Sequence, residues 1–334
     1  MALLSREIVT AIVLEHGREE LLSRLSDPFW FQAFGCVLGF DWHSSGLTTT
    51  VCGALKVGLE ERGPEIGVFV AGGKGRASRR TPEEIEAFGE RYGLGREVER
   101  LVYASRMSAK VDNTALQDGY QLYHHTFIFT SSGEWAVVQQ GMNPDTGWAR
   151  RYHWLGRDVR DFVREPHSAV CCDHRGKALN MVADESEDAR RASALLSRED
   201  PEKLVRELKR IKKLELPSRH ELLGSDIDPE SIRKVLLRTY EEGPEDFEEL
   251  LGIRGVGPKT VRALALLSEL IYGSTPSFRD PAKFSFAHGG KDRRPYPVDR
   301  RTYDRSIEVL RSAVERARLG RRERMEALRR LARI

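Results

Sequence analysis

The chain has 334 residues, of which 40% are hydrophobic and 31% charged, enough for two domains with separate cores. It contains no signal peptide and no run of about 18 apolar residues, so we expect a cytoplasmic protein and exclude a membrane-spanning one. The four cysteines, Cys36, Cys52, Cys171 and Cys172, lack zinc-site spacing, and we expect them to be small buried residues of a reducing compartment.

Charge is distributed unevenly along the chain. Residues 251–334 contain 20 Lys and Arg against 9 Asp and Glu, a balance of +11, whereas the whole chain carries +3 and residues 1–250 therefore carry −8. Such a basic C-terminal part predicts a polyanionic partner, and its many arginines favour bidentate phosphate contacts. The alternative is the ion-pair surface of a thermophile protein.

Apolar spacing predicts the elements of the first half. Residues 7–26 indicate one helix that ends before Pro28, and the aromatic, β-branched and glycine-rich residues 29–58 indicate buried strand and turn, with or without a short helix. Residues 66–71 indicate a strand that runs into a glycine loop. Thr81-Pro82-Glu83 then has the composition of a helix start.

A β-hairpin is predicted where residues 121–129 and 135–140 flank TSSGE. From Asp184 onward almost every window is helical. We therefore place a boundary near residue 183. The sequence predicts an α+β or α/β domain with a mixed sheet over 1–183 and an all-α domain over 184–334, with the oligomeric state left open.

A sharp turn lies between two helical patterns in GIRGVGPKT, residues 252–260. Gly255 and Gly257 permit backbone conformations closed to other residues, and Pro258 is suited to a first helical turn. The unpaired N–H groups at such a helix start can bind a phosphate. The segment resembles the helix-hairpin-helix motif, which implies DNA-backbone contacts from the following residues: Gly255, Val256, Gly257, Lys259, Thr260 and Arg262. The alternative is a tight turn between core helices.

A second resemblance involves PVDRRTYDRSIEVL, residues 297–310, which is similar to the segment that follows the hairpin in base-excision glycosylases. That resemblance implies chemistry by Lys259 and Asp299. The long insertion between them and the missing cysteine cluster depart from the glycosylase pattern, so we expect neither residue to be catalytic.

Five stretches of the chain together resemble one family. They are residues 34–56, 70–85, 105–125, 135–143 and 149–155, and they are similar to the prokaryotic domain of unknown function numbered 763, which occurs mainly in archaea and thermophiles. The resemblance covers nearly the whole chain. It implies no settled reaction.

Carboxylates and histidines recur in otherwise apolar segments before residue 183. Two-residue spacing places Asp41 with His43 and Glu165 with His167 on one face of a strand, whereas His124 and His125 alternate faces. Such donors suit Mg²⁺ or Mn²⁺ and phosphodiester hydrolysis. We expect catalytic residues among Asp41, His43, Asp112, Asp118 and His125, and metal ligands among Asp41, His43, Asp118, His124, Glu165 and His167. Alternatively, the histidines are core residues, Asp41 caps a turn, and arginines such as Arg106 or Arg151 pair with the buried carboxylates.

Two further basic residues are candidates for nucleic-acid contacts, Lys74 in the glycine loop VAGGKG and Arg151 in ARRYHWL. The whole pattern predicts a DNA-binding protein of repair or recombination, with cleavage of a phosphodiester by a metal-dependent nuclease. The alternatives are a non-catalytic DNA-binding accessory module and a glycosylase or lyase.

Overall fold

The computed structural model describes residues 1–40, 46–214, 221–222, 227–284 and 300–333, with the backbone alone over 300–305. Within these ranges the helices are α1 (Ala2–His16), α2 (Arg18–Ser26), α3 (Pro28–Leu38), α4 (Leu47–Ile66), α5 (Arg76–Arg79), α6 (Thr81–Tyr92), α7 (Glu97–Lys110), α8 (Glu187–Ser197), α9 (Pro201–Ile211), α10 (Pro229–Glu242), α11 (Phe247–Gly252), α12 (Pro258–Tyr272), α13 (Arg300–Arg316) and α14 (Arg321–Leu331).

A π-helical turn, Val111–Ala115, continues α7. The strands are β1 (Val68–Lys74), β2 (Leu116–Gln117), β3 (Gln121–Thr130), β4 (Trp135–Met142), β5 (Ala149–Leu155), β6 (Ala169–Cys171), β7 (Lys177–Asn180) and β8 (Ser277–Arg279).

The strands form two antiparallel sheets, a large one in the order β1-β3-β4-β5-β6 and a small one in the order β2-β7-β8. The expected combination of an α+β part with a helical C-terminal part is confirmed. In the described residues the sheets are antiparallel rather than mixed, and parallel pairing is limited to an isolated bridge between Cys171 and Phe284.

Two apolar cores cover the two faces of the large sheet, because successive strand residues point to opposite faces. Phe127 packs in the core that includes Leu264 of α12, whereas its neighbour Ile128 packs in the core that includes Leu310 of α13. Both cores thus draw residues from both sides of position 183. The predicted boundary marks a change in secondary structure and does not separate two independent cores.

The prediction of strand and turn over residues 29–58 is wrong, because α3 and most of α4 occupy this segment. The Asp27 side chain caps α3 by accepting hydrogen bonds from the N–H groups of Phe29 (2.8 Å) and Trp30 (3.1 Å). Helix α3 is buried on nearly all sides, so it lacks the polar face that reveals a helix in a sequence.

The helix predicted over residues 7–26 is two helices, broken at Gly17, whose φ of 89° is left-handed. The predicted β-hairpin is confirmed as β3 and β4, which pair from Gln121 with Met142 to Phe129 with Trp135.

The shared cores yield the first prediction. Fragments 1–183 and 184–334, produced separately, should each lack a cooperative unfolding transition, because each would expose one side of both cores to water. Urea unfolding followed by circular dichroism, with the full chain as the control, measures this. Two fragments that each unfold cooperatively would show that residue 183 separates independent domains.

Candidate functional site

The turn between α11 and α12 lies at the surface. The Asp246 side chain caps α11 through the Glu249 N–H (2.9 Å), and α12 begins at Pro258. Arg254 and Lys259 are exposed on the two sides of the turn. The first turn of a helix leaves backbone N–H groups without helical acceptors, so the start of α12 offers donors between two cations.

The inner side of this turn is fixed by Lys110, the last residue of α7. Its ammonium group donates to the carbonyl oxygens of Ile253 (3.1 Å) and Val256 (2.8 Å). Burial lowers the pKa of Lys110. From the neighbouring strand β2, the Gln117 amide donates to the Pro258 carbonyl (2.9 Å). These bonds hold the carbonyl side of the turn against the sheet half of the molecule.

The glycines of the turn differ in their requirements. Gly255 has a φ of 97°, which is unfavourable for other residues. Gly257 is extended (φ −138°, ψ −175°), and a Cβ there would lie 3.8 Å from the nearest atom, the carbonyl oxygen of Gly255. The expectation that Gly257 supplies a special backbone conformation is therefore wrong, and a side chain at Gly257 would project into open space.

The other residues of this segment that were predicted to contact DNA differ in their exposure to solvent. Val256 and Thr260 are buried, so their side chains pack and do not face a ligand. Arg262 is half-buried and its Nε donates to the Gln117 amide oxygen (3.1 Å). Lys259 keeps the exposed position that a phosphate contact requires.

A buried polar network begins at Asp112 in the π-helical turn, and the Asp112 side chain has no solvent exposure. One carboxylate oxygen accepts hydrogen bonds from the Gln139 amide (2.6 Å) and the Trp154 indole N–H (3.0 Å). The other oxygen is bonded to Nε2 of His167. The carboxylate thus joins the end of α7, strands β4 and β5, and the segment before β6.

The network continues from Gln139 to the other side of the core. The Gln139 amide nitrogen also donates to the Ser108 carbonyl (3.3 Å), so its amide oxygen faces Nδ1 of His125 (2.9 Å). Nδ1 must then carry the proton, and Nε2 accepts from the Ser105 hydroxyl (2.9 Å). Burial lowers the pKa of His125 to about 4, which keeps the imidazole neutral at pH 7.

Asp118 belongs to a different group, centred on the buried Arg150. The Arg150 guanidinium donates to Asp118 (2.8 Å) and to Asp280 (2.7 Å), and the Tyr152 hydroxyl donates to Asp118 (2.7 Å). Burial by itself would lower the pKa of Arg150, but Asp118, Tyr152 and Asp280 together raise it above its usual value. Asp118 is occupied as an ion-pair partner, so its predicted role as a metal ligand and catalytic residue is not supported.

The opposite face of the sheet carries His124 and Arg151. His124 bonds to the Thr126 hydroxyl (2.9 Å), and burial lowers its pKa to about 3. Arg151 is 1% exposed and donates to Nε2 of His153 (2.8 Å) and to the Gln32 side chain (3.0 Å). The prediction that Arg151 contacts nucleic acid is wrong in this structure, because its guanidinium lies between α3 and the sheet.

The remaining candidates are dispersed. Glu165 has a φ of 42°, the sole positive value for a non-glycine residue in the described part of the chain, and its exposed carboxylate lies 4.0 Å from Arg279 and 3.9 Å from Lys283. It is thus separated from the buried His167–Asp112 pair. Lys74 is exposed and lies over the Tyr123 ring (5.8 Å).

The predicted metal donors therefore occupy separate networks. Asp41 and His43 lie outside the described residues, and among the described ones no three His, Cys, Asp or Glu side chains cluster as a metal site. Asp112 and Asp118 each accept hydrogen bonds from two or more N–H or O–H donors, so both are engaged by the protein itself.

The comparisons with known proteins agree with the resemblance found in the sequence. The chain belongs to the family described as Protein of unknown function (DUF763), whose profile matches residues 1–298. No curated protein and no solved structure matches it. Each helix in the described part of the chain is too short or too polar to cross a membrane.

Several residues of the site escaped the sequence analysis. Lys110 stands in SAKVDN beside Asp112, but its partners are 143 and 146 residues away. Neither Gln139 nor Ser105 is among the site residues predicted from the sequence. A local signal exists for Gln139, because it directly follows four apolar residues, 135–138, in a strand that is buried through Gly141.

The buried histidines yield a pH prediction. His125 and His124 have pKa values lowered from 6.5 to about 4 and about 3. On acidification the unfolded chain binds protons first, so stability present above pH 6.5 should be lost as pH falls toward 4. One pKa unit corresponds to about 1.4 kcal/mol, so His125 alone accounts for a loss of unfolding free energy on the order of 3 kcal/mol on acidification.

Urea unfolding at several pH values measures this dependence. His125→Asn should reduce the slope of the unfolding free energy between pH 6.5 and 4, because residue 125 then no longer binds a proton in the unfolded chain. A parent whose stability is flat over this range would contradict the burial of neutral histidines.

Proposed function

We propose that the chain binds DNA, without sequence preference, through the turn 253–257 and the first turn of α12. The observation that carries this proposal is the turn itself. Its carbonyl oxygens are held inward by Lys110, while Arg254 and Lys259 are exposed beside the helix start. Backbone donors and cations in this arrangement suit one phosphate group.

The surroundings support backbone contacts rather than base reading. Exposed Arg238 of α10 donates to the Arg254 carbonyl and adds a third cation at the turn. A compact turn of this kind cannot insert into a groove as a recognition helix does, so it would contact phosphates, which carry no sequence information. Residues 1–250 carry −8 overall, so the cations around the turn supply the local attraction for phosphates.

The binding prediction uses the difference between the two glycines. Gly257→Val should fold normally, because its backbone is extended and its Cβ meets open space. The added side chain would block phosphate approach, and affinity for duplex DNA should fall about 10-fold or more. Lys259→Glu should weaken binding further. It should also reduce the slope of log K against log salt by about 1, the value expected when one phosphate contact is lost.

Gly93→Ala is a stability control, because Gly93, unlike Gly257, has a positive φ (68°) and lies at the end of α6, away from the turn. It should cost stability, about 1–2 kcal/mol, and leave DNA affinity unchanged. Fluorescence anisotropy with thermal unfolding separates the two effects. Unchanged affinity in folded Gly257→Val and Lys259→Glu would leave the turn with a packing role alone.

A second candidate function is cleavage of the bound phosphodiester, as the sequence predicts. The observation that favours it is the His167–Asp112 pair. A buried carboxylate holds Nε2 of an imidazole whose side chain is 7% exposed, and such a pair can orient a general acid or base. Asp112 and Asp118 are engaged by protein donors, and Asp41 and His43, the other predicted ligands for Mg²⁺ or Mn²⁺, lie outside the described residues.

Cleavage is tested with labelled single-stranded, branched and duplex DNA, with Mg²⁺, with Mn²⁺ and with EDTA. His167→Gln should lower the rate at least about 100-fold, the usual contribution of a general acid or base, and leave affinity unchanged because the turn is intact. Lys259→Glu should instead lower affinity. Borohydride should trap no adduct with abasic DNA. Parental cleavage by His167→Gln, or no cleavage under any condition, would leave the binding function alone.

A further inference from the structure

We infer that Trp148 and His174 form a stacking platform for unpaired bases of the nucleic acid bound at the α11–α12 turn. This inference rests on the proposed DNA binding and names single-stranded or locally unpaired DNA as the preferred ligand. Trp148 is 44% exposed at the end of the β4–β5 loop, whereas Trp30, Trp135 and Trp154 are buried. Its ring centroid lies 3.9 Å from that of exposed His174, and the two ring planes are inclined at 51°, so the rings touch without stacking on each other.

The loop that carries Trp148 is held in one conformation. The Asn143 side-chain oxygen accepts from the N–H groups of Asp145 and Thr146, both at 3.0 Å. Across the loop, the Asn143 N–H donates to the Trp148 carbonyl (2.9 Å) and the Gly147 N–H to the Asn143 carbonyl (2.9 Å). An exposed indole on a fixed loop loses little conformational entropy when a base stacks on it.

The buried ion-pair group around Arg150 holds the backbone of His174. Arg150 donates to the His174 carbonyl (3.2 Å) while it is bonded to Asp118 and Asp280. The His174 N–H donates to the Cys172 sulfur (3.4 Å). The ion pairs thus hold the backbone segment that carries the second ring of the platform.

The platform and the turn lie within reach of one ligand. The Gln117 side chain bonds to the Pro258 carbonyl, and Gln117 pairs with Leu179 across β2 and β7. His174 precedes Leu179 by five residues, which span at most about 18 Å. Adding one strand spacing and the Gln117 side chain places the platform at most about 30 Å from Pro258. A single strand of about 12 nucleotides, at about 3.4 Å or more per nucleotide, spans that distance.

The physical basis of the preference is that a base offers its flat face only when it is unpaired or at an end. Stacking on aromatic side chains tolerates any base, because every base has a π face. This matches a turn that contacts phosphates and reads no sequence. In a continuous duplex the faces are covered by neighbouring base pairs, so the platform should add nothing to duplex affinity.

The test compares a labelled single strand of about 12 nucleotides, a typical site size, with the duplex of the same sequence, using the full chain. Trp148→Ala should weaken single-strand binding at least about 5-fold and leave duplex binding unchanged. Trp148→Phe should restore most of the loss. Single-strand addition should also quench a fluorescence component that is present in the parent and missing in Trp148→Phe.

The outcomes separate this inference from the proposed function. Equal single-strand affinity of Trp148→Ala and the parent, with weakened binding by Gly257→Val, would overturn the platform and leave the turn as the binding site. A parent that binds neither DNA form would overturn both. Sedimentation measures the oligomeric mass of Trp148→Ala. If this mass differs from that of the parent while DNA affinity is unchanged, the two rings form an interface between chains, and the platform is overturned.

Discussion

The buried carboxylate of Asp112 is the constraint on which the centre of the molecule depends. A charge removed from water is costly unless donors surround it, and here three side chains from β4, β5 and the segment before β6 supply them. Their convergence fixes the π-helical turn at the end of α7. Asp112 therefore links the sheet to the helix that leads into the surface turn.

The same end of α7 connects this interior to the candidate binding surface. Lys110 lies two residues before Asp112, and its ammonium group bonds to two carbonyls of the α11–α12 turn. The end of α7 thus positions the turn, and the buried Asp112 carboxylate positions the end of α7. This explains how a turn in the helical part is held rigidly on a core shared with the sheet.

Charge pairing and hydrogen bonding separate the polar residues of the sheet into distinct roles. Asp118 neutralises Arg150 under the loop that carries His174. Burial keeps His125 neutral, and the Gln139 amide oxygen fixes its tautomer. Between α3 and the sheet, the Arg151 guanidinium donates a hydrogen bond to Nε2 of His153. Among the described residues that the sequence offered as metal donors, Asp118, His124 and His125 have structural partners. The His167 ring, bonded to Asp112, is partly accessible.

The sequence by itself determined the β3–β4 hairpin, the helix start at Pro258 and the helical character after residue 184, because alternation, proline and caps act over a few residues. It did not determine α3, whose apolar residues surround the helix and leave no periodic polar face. Only the tertiary structure decided which polar residues share a network. The donors to Asp112 are 27, 42 and 55 residues away, and those of the surface turn more than 140. Such distant contacts arise when strands and helices pack, and no local pattern of residues records them.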